Sequence, residues 1–125
     1  MEDRILIKDK QHDEYWNRGY NLYAVFDGHG NHSTDYGVWE YAKQHFAEFF
    51  DAQLLVQIAE NNEKQQKRLS SKELIEISLK ESFTKFDEEI KQEIQRVKHD
   101  TGCTATVLIL FQGEKQIESI FANVG

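Results

Sequence analysis

The residues best placed to do chemistry stand where an apolar run ends: "NLYAVF" at 21 to 26 leads directly into Asp27-Gly28-His29-Gly30. A carboxylate held at the tip of a buried strand is costly without a partner, and a cation is the cheapest one. The flanking glycines let the chain bend tightly and let a ligand approach main-chain oxygen with no Cβ in the way. Asp and Gly are also ordinary turn residues, but the dense apolar lead-in and the adjacent histidine favour a site over a plain turn. A second acidic pair, Glu2-Asp3, heads another strand-like segment. If the two strands are neighbours, Glu2 and Asp27 meet at one end of a sheet in an oxygen-rich setting suited to Mg²⁺ or Mn²⁺. In a chain with 22 acidic residues, such a pair is otherwise just a solvated terminus. His29, beside a metal-organised carboxylate, is positioned for general-acid work near neutral pH.

Other chemistries fail on spacing. One cysteine and no histidine pair at i, i+4 on a helix exclude the usual zinc patterns. Residues 27–30 lack the alternating oxygen ligands of a calcium loop, and no Gly-Lys-Ser/Thr phosphate loop is present. His12, His32, His45 and His99 have no constellation around them, so surface or packing roles are expected. Asn31-His32-Ser33 matches the glycosylation triplet, but without a signal peptide it reads as chance.

The elements that must position these residues are legible as periodicities. Strands are expected at about 4–8, 21–26, 104–111 and 117–123. The segments 21–26 and 104–111 are apolar at both odd and even positions, which predicts cover on both faces and excludes a sheet with one wet face. A helix is expected from about 34 to 55, with Val38, Tyr41, Ala42, His45, Phe46, Phe49 and Phe50 as its stripe and Ser33 or Thr34 as cap. A second, from about 72 to 98, carries Ile75, Leu79, Phe83, Phe86, Ile90, Ile94 and Val97 at spacings of three and four. With no proline, both run uninterrupted. The polar segment 60–73 reads as the connection between them, with Ser70 or Ser71 available as a cap. Two strands, two helices and two strands do not alternate as a doubly wound parallel sheet does. The class is α+β, with layered antiparallel sheets inside and helices outside.

With 125 residues and 39% hydrophobic content, the chain has the size of one domain burying about two thirds of its unfolded surface. Fifteen basic against 22 acidic residues leave a net charge of -7, which opposes binding to a phosphate backbone or an anionic membrane. The longest apolar run, "ATVLILF", falls well short of the roughly 18 residues a membrane helix needs. The expectation is therefore a protein with no nucleic-acid or membrane partner. A single cysteine and no secretory leader point to a cytoplasmic or nuclear location.

Three motifs in order, "MEDR" at 1–4, "YAVFDGHG" at 23–30, and "TGCTATVLIL" at 101–110 followed by "FANVG" at 121–125, resemble the metal-dependent serine/threonine protein phosphatases of the PPM type, also called type 2C. The second is the most specific. The resemblance implies a four-layer αββα fold, an antiparallel β-sandwich flanked by helices. It implies that Asp27 bridges two Mg²⁺ or Mn²⁺ ions, that Glu2 and the Gly28 carbonyl ligate one of them, and that Asp3 holds water in the outer sphere. It casts His29 as the acid that protonates the departing serine or threonine oxygen. The expected substrate is a phosphoprotein, attacked by metal-activated water rather than by a side chain. Cys103 lacks a phosphate-cradling loop with an arginine, and a small buried strand residue is its expected role.

The match covers all 125 residues but only the N-terminal half of that family's catalytic domain. "ANVG" is normally followed there by Asp-Ser-Arg and by later metal-binding aspartates, and the substrate-binding arginine would precede Met1. The expectation is a partial domain over 1–125, monomeric when complete, that alone binds metal weakly and has little activity. A phosphatase-like binding or regulatory remnant is the alternative.

Overall fold

A computed structural model describes residues 3–10, 19–30, 38–63, 69–94, 101–113 and 115–124; at 3–10, 29–30, 38–39, 93–94 and 101–103 the description is of the backbone. Six elements follow in order: β1 (Asp3–Lys10), β2 (Tyr20–Gly30), α1 (Val38–Glu63), α2 (Ser71–Ile94), β3 (Thr101–Gln112) and β4 (Ile117–Val124). The strands form one antiparallel sheet in the order β1-β2-β3-β4. Two helices between β2 and β3 carry the chain away and back, so β3 enters beside β2 running the opposite way. The class is α+β, as expected, and the sheet with its helical pair makes one half of the expected layering.

The core lies between the helices and one face of the sheet. β2 contributes Tyr20, Leu22, Ala24 and Phe26, and β3 contributes Ala105, Val107, Ile109 and Phe111, all buried. Alternation by two selects these residues, and register matches large to small: Phe26 pairs with Ala105, and Ala24 with Val107. From α1 come Ala42, Phe46, Phe50, Leu54 and Ile58, each four residues after the last. From α2 come Leu74, Ile75, Leu79 and Phe86. Ser78 and Ser82 are also fully buried, and their hydroxyls donate to the carbonyls of Leu74 (2.7 Å) and Ser78 (2.6 Å). Each thus satisfies its own polar group within the helix.

The helices differ from expectation at their ends. α1 continues past Leu55 to Glu63 because Leu54, Ile58 and Asn61 prolong the buried stripe. Asn61 accepts the Leu69 N–H at 2.7 Å, tying the end of α1 to the start of the next element. Ser70, rather than Ser71, caps α2: its Oγ accepts the Glu73 N–H, and Glu73 Oε1 accepts the Ser70 N–H, both at 3.2 Å. That reciprocal pair is a capping box. The expected caps Ser33 and Thr34, and Val97 of the second stripe, lie outside the described residues.

The second face of the sheet departs from expectation. Val25 is 42% exposed and Phe121 68% exposed, so the apolar positions of β2 and β4 on this side have no cover from the described elements. The helices account for cover on one face only.

Tyr20 joins sheet to helix at the start of β2, just after Gly19, whose φ of 67° is a left-handed conformation suited to glycine. Its hydroxyl donates to Asp51 of α1, and its ring meets Phe50 edge-on at 5.3 Å. Burial, and then the bond to the Asp51 carboxylate and its charge, push the Tyr20 pKa far up. A raised folded-state pKa makes this contribution whole below about pH 10, the ordinary tyrosine value, and erodes it as pH climbs above. Tyr20→Phe is expected to cost about 1–3 kcal/mol at pH 7 by removing the hydrogen bond that its hydroxyl donates to Asp51. It should also flatten the alkaline fall in stability. Urea melts at pH 7 and pH 11 check both, and an unchanged alkaline slope would count against Tyr20 as its source.

Candidate metal centre

β2 brings Asp27 to the open side of the sheet. Ala24 and Phe26 face the helices, whereas Val25 and Asp27 are exposed. Phe26 holds the strand end in place by packing against Phe46 of α1, ring centroids 5.8 Å apart. Gly28 is buried and continues the strand. The apolar lead-in therefore anchors a carboxylate that is itself exposed to solvent.

β1 and β2 are neighbours, and their register makes Asp3 the direct partner of Asp27. Glu2, the residue before this pair, lies outside the described residues. On the other side of β2, Asp27 pairs with Thr104, Gly28 with Cys103, and His29 with Gly102. One row across three strands thus reads Asp3, Asp27, Thr104. Of the expected site residues, Asp3, Asp27, Gly28 and His29 are brought to one end of the sheet at the level of the backbone. The side chains of Asp3, His29 and Cys103 are not described. Thr104 escaped the reading of the sequence because its placement depends on pairing with a distant strand.

Like charges directly opposite one another on neighbouring strands are destabilising, by roughly 0.2–1 kcal/mol. A cation at this row would relieve such an opposition, and the donor types of the row, carboxylate and backbone carbonyl oxygen, are the hard oxygens Mg²⁺ and Mn²⁺ prefer. The residues fit such an ion in kind. Among the described residues, no group of three or more His, Cys, Asp and Glu side chains gathers around a common point.

A cavity of about 430 Å³ lies elsewhere, where Ser71 and Lys72 at the start of α2 face Lys115 and Glu118 around the β3–β4 turn. It sits toward the opposite end of β3 from Thr104 and shares no residue with the Asp27 row. Among the described residues, no helix is long and apolar enough to cross a membrane.

Comparison with curated proteins and with solved structures returned no match. The family model described as Protein phosphatase 2C matches residues 1–125, a span that takes in the carboxylate pair, the Asp27-Gly28-His29-Gly30 strand end and both outer strands. The chain belongs to the protein phosphatase 2C family.

Proposed function

We propose that this chain supplies part of the catalytic centre of a Mg²⁺- or Mn²⁺-dependent protein serine/threonine phosphatase acting on phosphoserine and phosphothreonine esters of proteins. The observation that carries this reading is the direct opposition of Asp3 and Asp27 at the end of β1 and β2, in a chain of the protein phosphatase 2C family. Asp27, Glu2 and the Gly28 carbonyl hold the cation, and Asp3 orients water near it. His29, next along the strand, donates a proton to the departing alcohol oxygen. When bound, divalent cations supply Lewis acidity and lower the pKa of the attacking water. The apolar strand keeps Asp27 in one place, so the carboxylate needs little reorganisation to serve. We further propose that residues 1–125 form one part of the catalytic domain, the remaining ligands coming from other parts of it.

The test uses the 125-residue chain and a phosphothreonine peptide. Mn²⁺ is expected to raise its melting temperature and EDTA to reverse the rise, since a ligand present at 100 times its Kd adds about 2.7 kcal/mol to the folded state. Phosphate release from the peptide, if any, should follow the same Mn²⁺ dependence. A melting curve indifferent to Mn²⁺ and EDTA would sink the metal-site reading. Binding without turnover is the outcome expected of one part of a catalytic domain whose remaining ligands lie elsewhere.

A further inference from the structure

We draw no further inference here: the strongest candidate, the open apolar face of the sheet around Val25 of β2 and Phe121 of β4, carries nothing because nothing among the described residues shows what covers it.

Discussion

Asp27→Asn is expected to move stability in opposite directions with and without metal. In a chelator, removing one of two directly opposed charges should stabilise the fold by about 0.2–1 kcal/mol, most visibly at low salt, where the repulsion between exposed groups is least screened. In excess Mn²⁺ the parent chain gains binding energy that the asparagine variant cannot match, so the order of melting temperatures reverses. Any Mn²⁺-dependent phosphate release should fall by about 10³-fold, because Lewis-acid stabilisation is worth several kcal/mol and each 1.36 kcal/mol is tenfold in rate. Paired melts in EDTA and in Mn²⁺, at two salt concentrations, check the crossing. An Asp27→Asn variant that melts below the parent in both conditions would contradict the assignment. It would mean that the carboxylate makes a favourable contact within the fold instead of a repulsive one relieved by a cation.

The largest loss of stability is expected from Phe46→Ala. Phe46 is 1% exposed, and its ring meets Phe26 of β2 at 5.8 Å and Phe83 and Phe86 of α2 at 5.3 and 5.5 Å. It is thus a side chain of α1 that touches β2 and α2 at once. Truncating a buried phenylalanine costs about 3–5 kcal/mol, and lost aromatic pairs add to the penalty. Against a typical total of 5–15 kcal/mol, this removes a large part of the stability. Leu55→Ala, at a position 43% exposed on the same helix, should change stability by less than about 0.5 kcal/mol. Urea midpoints of the two variants provide the comparison. A Phe46→Ala loss no larger than that of Leu55→Ala would refute the described packing. Because Phe46 supports Phe26, the residue before Asp27, Phe46→Ala should also weaken Mn²⁺ binding at temperatures where the variant is still folded.

Much of the fold was open to a local reading. Residue spacing alone marks four strands and two helices, since side-chain direction repeats every two residues in a strand and every 3.6 in a helix. Phe46, Phe50, Leu79 and Phe86 could be named as core from their spacing, and all are buried. Ser70 could be named as a candidate cap because a helix start is decided within four residues. The far end of α1 was misjudged because residues 60–63 are polar, and polarity signals a loop only where no buried stripe continues beneath it. Ile58 and Asn61 continue it. The expectation that β2 and β3 are covered on both faces rested on apolar residues at both odd and even positions. That pattern records that apolar residues stand on each face, whereas Val25 and Phe121 remain exposed because nothing described packs there.

The candidate site divides in the same way. Asp27, Gly28 and His29 are adjacent in the chain, so their association at one strand tip needed no fold, and the protein phosphatase 2C match spans them. The sequence by itself determined that a carboxylate, a small backbone-exposing residue and an imidazole stand together at the end of an apolar run. Only the tertiary structure decided that Asp3 and Thr104 flank Asp27 across the sheet. The reason is register: a shift of one residue in either pairing would present different partners, and turn lengths and buried rows spread over the sheet set that shift, which no local stretch of sequence records.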